Sequence, residues 1–295
     1  MAAVLSADTR WWAVDKVILA YYAAACLVVG AYSSRLPEAW RLIAAHLAAG
    51  TLLWLEVKRP NRASFAFRHW YALPYVAACY KEMAMLIPAT GPWNADQWLA
   101  DIDYRFWGAH PSLWLERLYS PALTEFLQVV YTLFVPAVLL IPLLIWRRRR
   151  YQDFRYFAYL IALGYLVSYV GYLLVPARGP RFLLRPLEGA RLQGMGLFQA
   201  SQSLLDRLES AHYDCFPSGH TELTIIAWWG SRLISRQLFG LYSVYTLCII
   251  FATVYLRYHY SIDVLAGALT AAVLIAASPV LYRKLSPRGS DLGGN

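Results

Sequence analysis

Long apolar runs alternate with short polar or basic stretches along the whole chain. A helix crossing the hydrocarbon core needs about 20 predominantly apolar residues, each rising ~1.5 Å. Runs of suitable length predict spans at residues 17–32, 39–57, 70–89, 122–146, 156–175, 220–234, 241–256 and 263–282. The fourth contains Pro136 and Pro142, and a proline inside a helix removes a hydrogen-bond donor and kinks the chain.

Two segments depart from the pattern. Residues 91–121 interleave Trp93, Trp98, Trp107 and Trp114 with Asp96, Asp101, Asp103 and Arg105. That mixture predicts one or two amphipathic helices lying in the membrane interface as anchors. Residues 177–214 form the longest polar stretch and carry Arg178, Arg181, Arg185, Arg191 and Arg207. The expected architecture is all-α, a polytopic membrane helical bundle of about eight spans forming one membrane domain. Residues 1–150 supply its N-terminal helices and the Trp-rich segment, and residues 151–283 carry the motifs described below. Residues 284–295, polar with Gly and Ser, are expected to be disordered.

Positive charge orients the bundle. Arg10, the 58–68 connection, the 147–155 cluster, Arg232 with Arg236, and the 283–288 segment all fall on one side of the eight spans. The positive-inside rule makes that side cytoplasmic, with both termini on it. Arg178, Pro217 and His259 then fall on the outer or lumenal side. The arginines of 177–214 run against the rule, and phosphate binding gives a reason for some of them.

Composition narrows the class. Hydrophobic residues make up 59% of the chain and charged residues 15%, which excludes a soluble domain. Aromatics reach 16% and gather at the ends of apolar runs, where interfacial belts form. The net charge of +9 would suggest nucleic acid in a soluble chain, but here the positives are dispersed and no nucleic-acid motif accompanies them. Cys26, Cys79, Cys215 and Cys248 form no CxxC pair, so neither a disulfide framework nor a zinc site is expected. Asp15 and Lys16 precede the first apolar run without a small-residue cleavage site, which reads as a retained helix. Lys81 and Glu82 lie inside an apolar run, where charge is expensive. Adjacent residues point in different directions on a helix, so each is expected to find a structural partner elsewhere.

Two stretches carry candidate chemistry: Cys215-Phe216-Pro217-Ser218-Gly219-His220, and Arg257-Tyr258-His259-Tyr260-Ser261-Ile262-Asp263. The 39 positions from His220 to His259 suit one span out and one back, returning both histidines to the same membrane face. Asp263, four residues after His259, comes back towards it over one helical turn. Two histidines, a carboxylate and arginines at one surface suggest phosphoryl transfer. One histidine, oriented by Asp263, would attack phosphorus, and the other would protonate the leaving oxygen. Ser218, Gly219 and the arginines would hold the phosphate oxygens. The same pattern leaves open a non-catalytic polytopic protein or transporter with Lys81 and Glu82 in its pathway. It also leaves open a haem protein with His220 and His259 as axial ligands.

Pro217-Ser218-Gly219-His220 matches the second signature of the type 2 phosphatidic acid phosphatase superfamily, and His259-x-x-x-Asp263 its third. The chain resembles that superfamily over about residues 156–282. Cys215, Thr221 and His259-Tyr260 make it similar to the branch containing inositol phosphorylceramide synthase and related sphingolipid synthases. The resemblance implies a helical bundle and an enzyme, a lipid phosphatase or phosphotransferase with no cofactor and no metal in its chemistry. Its partners would be a lipid phosphate or phospholipid, an alcohol acceptor where the group is transferred, and the bilayer. His259 would be the phosphorylated nucleophile, Asp263 its orienting carboxylate and His220 the acid, with Ser218 and Gly219 on the phosphate. Two positions depart from the family. The lysine of the first signature is absent, with Gly171 or Leu174 at the expected spacing, which leaves Arg178 and Arg181 as its phosphate ligands. The Ser-Arg that usually precedes the third histidine is replaced by Ala252 and Thr253, and Arg257 is expected to supply that charge.

Overall fold

Each predicted run is helical in the structure, a computed structural model describing residues 10–58, 62–189, 191–208 and 213–286. The first group is α1 (Ala13–Ala31), α2 (Ala39–Lys58), α3 (Arg62–Trp70) and α4 (Ala72–Thr90). The Trp-rich segment gives α5 (Asp96–Trp107) and the short α6 (Pro111–Trp114). Then come α7 (Pro121–Thr132), α8 (Phe134–Arg147), α9 (Tyr151–Leu174), α10 (Pro180–Leu183) and α11 (Leu197–Leu208). The last three are α12 (Gly219–Ser231), α13 (Arg236–Tyr255) and α14 (Ser261–Leu285). Among the described residues there is no strand, and one isolated parallel bridge joins Ala177 to Asp214. The expected disordered tail lies outside the described residues from 287 onwards, as do 59–61 of the basic connection and 209–212 of the polar stretch.

Among the described residues, four helices are long and apolar enough to cross a membrane: α1, α9, α13 and α14. A fifth span arises if α7 and α8, bent by 43° at Leu133, are taken together. The bend sits where Pro136 has no N–H to offer the Thr132 carbonyl, the consequence expected of a proline at that point. Pro142, by contrast, lies within α8 and leaves it one helix. The run beginning at His220 yields only the 13 residues of α12, roughly 20 Å at ~1.5 Å per residue, short of a ~30 Å hydrocarbon core. This short helix is nevertheless central, packing against α8, α9, α13 and α14.

The core is aromatic as well as aliphatic. Phe154, Phe157, Tyr159 and Tyr169 of α9 are fully buried, and α9 packs on α4, α1, α12 and α14. Two buried carboxylates tie the N-terminal helices together. Asp15 accepts from the Trp12 N–H, the Arg68 guanidinium (2.7 Å) and the Tyr71 hydroxyl (2.6 Å), joining α1 to the segment around α3. Glu82 takes His46 Nε2 at 2.8 Å and the Tyr21 hydroxyl at 2.9 Å, while Lys81 is exposed. Glu82 thus finds its structural partner on α2 and α1 rather than in its neighbour. At the motif end, α14 approaches α12 so closely that a Cβ on Gly267 would lie 2.4 Å from the Ser218 carbonyl oxygen. A side chain at that position would push the Pro217–His220 turn out of place.

Candidate active site

Three backbone turns converge at one end of α9, α12, α13 and α14. The first, Pro176-Ala177-Arg178-Gly179-Pro180-Arg181, runs beside the second, with the Cys215 N–H donating to the Ala177 carbonyl at 3.2 Å. Gly179 sits at φ +97°, a left-handed backbone that favours glycine, and a Cβ there would meet the Tyr258 carbonyl at 2.5 Å. The Arg181 N–H donates to the Arg257 carbonyl at 3.0 Å, which ties the first turn to the third.

The second turn ends in the N-terminus of α12. Ser218 is its N-cap, with its hydroxyl accepting from the Thr221 N–H at 3.3 Å and its own N–H donating to the Asp263 carbonyl at 3.0 Å. Gly219 and His220 form the first helical positions, where unpaired N–H groups and the helix dipole favour an anion.

The third turn closes α13. The N–H groups of Tyr258 and His259 both reach the Thr253 carbonyl at 3.0 Å, and Arg257 turns left-handed at φ +66°. That conformation costs a non-glycine residue about 1 kcal/mol or more. Two carboxylates hold it there: the Arg257 guanidinium meets Glu116 at 2.7 Å and Glu188 at 2.9 Å, and the residue is 4% exposed. The charge expected to face phosphate at this position is therefore matched by two structural carboxylates.

His259 is buried, with Nδ1 2.9 Å from the Cys215 carbonyl. A carbonyl only accepts, so Nδ1 carries a proton, and in the neutral imidazole the lone pair is then on Nε2. Asp263 lies at the expected helical turn, with Oδ2 3.6 Å from Nδ1, an electrostatic rather than a hydrogen-bonding distance. That oxygen instead accepts from the Tyr260 N–H at 2.9 Å and the Cys215 thiol at 2.8 Å. Burial, followed by the Asp263 charge, pushes the Cys215 thiol well above its ordinary range, so it acts as a neutral donor. The ligand atoms of Cys215, His259 and Asp263 lie within 4.8 Å of one another, a spacing that a metal ion could also use. Two of them are donors already aimed at protein oxygens.

The His220 ring stands 5.7 Å from that of His259, tilted by 61°. Tyr131 stacks on it at 4.3 Å and Phe134 packs at 4.3 Å, and the Tyr131 hydroxyl lies 3.4 Å from His220 Nδ1. Tyr131 also stacks on Tyr258 at 4.2 Å, and Arg181 sits over the Tyr258 ring at 4.9 Å. Beyond this stack opens a cavity of about 640 Å³ lined by Arg178, Arg181, Arg185, Arg191 and Arg257. Neither histidine lines it. Arg178 lies over Phe182 at 4.1 Å, and no carboxylate among the described residues pairs with the Arg178, Arg185 or Arg191 guanidinium.

The structure thus brings together His220, His259, Asp263, Ser218 and Gly219, with Arg178 and Arg181 on the adjoining turn. It adds residues that pattern reading passed over: Asp96, Asp103, Glu116, Glu125 and Tyr131. Asp96 accepts from the Arg178 and Gly179 N–H groups, and Asp103 from those of Ser261 and Ile262. Glu125 takes N–H groups at the start of α11, including Met195 at 2.8 Å and Phe198 at 3.1 Å. The seven-residue spacing of Asp96 and Asp103, which puts both on one helical face, was the available signal.

No curated protein and no solved structure matches this chain. The family profile described as the PAP2 superfamily matches residues 97–277, well over half of it, reaching back past residue 156 to take in most of the aromatic helix α5 and the bent pair α7–α8. With its second and third motif turns meeting around two histidines and a buried aspartate, the chain belongs to the PAP2 superfamily.

Proposed function

We propose that this integral membrane protein is a lipid phosphatase or phosphotransferase that works through a phosphohistidine. The observation that carries the reading is the 2.9 Å hydrogen bond from His259 Nδ1 to the Cys215 carbonyl, which leaves Nε2 as the nucleophile. Nε2 attacks phosphorus, the N–P bond forms, and the P–O bond to the lipid alcohol breaks. His220 gives its proton to the departing oxygen. Water or an alcohol then attacks the phosphorylated imidazole, His220 takes the proton back, and His259 is regenerated. Arg178, Arg181 and the N-terminus of α12 hold the equatorial oxygens. Cys215 with Thr221, and His259 with Tyr260, favour the branch that transfers to an alcohol, as in inositol phosphorylceramide synthase-like enzymes.

The test uses purified protein in mixed micelles with phosphatidic acid and with a phosphodiester lipid. Vanadate-sensitive release of inorganic phosphate supports the phosphatase. A new phospholipid formed on adding inositol or diacylglycerol supports the transferase. Absence of both, with no protection of the protein by orthovanadate, overturns the reading.

In this proposal both termini are cytoplasmic and the motif turns lie on the outer face. A membrane-impermeant thiol reagent added outside should label Tyr213→Cys and spare Tyr151→Cys. The reverse pattern inverts the topology.

A further inference from the structure

We infer that helix α5 is a positioning element of the active site, in which Asp96 and Asp103 hold the turns carrying Arg178 and His259 in register. The inference rests on the phosphohistidine reading for its kinetic consequence and on geometry for everything else. Seven residues at 3.6 per turn bring Asp96 and Asp103 to within about 20° of each other on the helix. Both are buried, and fully buried Leu99 and Ala100 fill the face between them. The rest of the helix surface is exposed and aromatic, with Trp98, Tyr104 and Phe106.

Each carboxylate takes groups that lie far from it along the chain. Asp96 takes the Arg178 N–H at 3.0 Å, the Gly179 N–H at 2.8 Å and the Tyr260 hydroxyl at 3.0 Å. It thereby links the arginine turn to the residue that follows His259. Asp103 takes the Ser261 N–H at 2.8 Å, the Ile262 N–H at 2.9 Å and the Ser261 hydroxyl at 2.8 Å, while Trp107 Nε1 donates to the same hydroxyl at 2.6 Å.

The first turn of α14 has N–H groups without intrahelical partners, and a nearby carboxylate will take them. Asp263 belongs to that turn. With Asp103 on the first two N–H groups, Asp263 is left to the Tyr260 N–H, the Cys215 thiol and the flank of His259. Without Asp103, Asp263 is the remaining anion for its own helix end and is drawn away from the histidine. Neither Asp96 nor Asp103 touches a reacting atom, so both are positioning residues.

The experiment compares full-length Asp103→Asn and Asp96→Asn with Asp101→Asn, an exposed carboxylate on the same helix bonded to Gln97. Site-resolved labelling of Cys215 with N-ethylmaleimide, without substrate, reads the geometry directly. Turnover of phosphatidic acid in mixed micelles reads the consequence. Cys215 should label faster in both variants than in the control. The kcat should fall roughly 10- to 100-fold with KM little changed, the scale expected when a reacting group is misplaced by about 1 Å. Asp103→Glu should recover part of the rate. Trp107→Phe, which removes one exposed N–H donor, should move both readouts the same way by less, and serves if Asp103→Asn does not fold. Labelling and kcat indistinguishable from Asp101→Asn overturn the inference. If wild-type protein turns over no lipid phosphate, the functional reading falls while Cys215 labelling still decides the positioning.

Discussion

Replacement of His259 by alanine should abolish turnover, a loss of roughly four to six orders of magnitude, because the proposed mechanism makes it the group that bonds to phosphorus. The neighbouring atoms give it no substitute. Cys215 is a neutral thiol donating to Asp263, and Asp263 has no solvent exposure, so neither offers a comparable nucleophile. The change also leaves the Cys215 carbonyl without its donor, at a cost of about 1–3 kcal/mol in stability. Folding and catalysis therefore need separate readings. Thermal unfolding should show a modest decrease, while single-turnover kinetics should show no phosphoenzyme at all. In wild-type protein, radiolabelled phosphatidic acid carrying its label in the phosphate should leave acid-labile, base-stable phosphorus on residue 259. If the label appears on another residue, or if the alanine variant still turns over at more than a trace, the nucleophile lies elsewhere. Asp263→Asn should fall between the extremes. It keeps the Tyr260 contact yet removes the charge 3.6 Å from Nδ1, for a loss of about 10²- to 10⁴-fold.

The helical bundle was legible because its determinants are local. Apolar runs mark α1, α9, α13 and α14, and the break before Phe134 follows from Pro136 alone. What pattern reading could not supply was the count of spans. Hydropathy does not separate a run that crosses from one such as α12 that is short because both its ends are bound into turns. The motif residues were legible for a related reason: His220, His259 and Asp263 keep chemistry-bearing types at fixed spacings, and spacing survives in a sequence.

Their supports do not have that property. Asp96 and Asp103 lie 164 and 158 residues from the groups they hold at Tyr260 and Ser261. Among tryptophans and other charges they read as the wet face of an interfacial anchor. The aromatic face is there, but the acidic face is the buried one. Arg257 shows the converse. Two positions before His259 it looks like the missing phosphate ligand, yet a positive charge does not reveal which anion it meets. Glu116 and Glu188, far away in sequence, reach it in the fold. Residue type at a spacing therefore foretells which motif groups the fold brings together, and says less about groups whose partners are set by tertiary contacts.

His220→Ala should separate lipid from activated substrates, and this contrast bears on mechanism more sharply than the size of either loss. A lipid alkoxide is a poor leaving group and needs its proton in the transition state, so phosphatidic acid turnover should fall roughly 10²- to 10⁴-fold. p-Nitrophenolate leaves without that help. The variant should still release it in a burst of about one equivalent per enzyme, then stall, because the proposed mechanism also makes His220 the base that activates the incoming water or alcohol. Phosphoenzyme should accumulate where in wild type it is transient. Alanine also empties the slot between Tyr131 and Phe134, each packed at 4.3 Å on the His220 ring, so His220→Gln should accompany it as a better-filled control. Equal losses on both substrates in both variants, with no burst, would mean that His220 shapes the pocket through its aromatic stack and that the proton comes from another group. A burst in both variants assigns the acid to His220. It also makes the second half-reaction the place where water and an alcohol acceptor compete, so adding diacylglycerol or inositol to the stalled phosphoenzyme then tests which of them the protein is built to use.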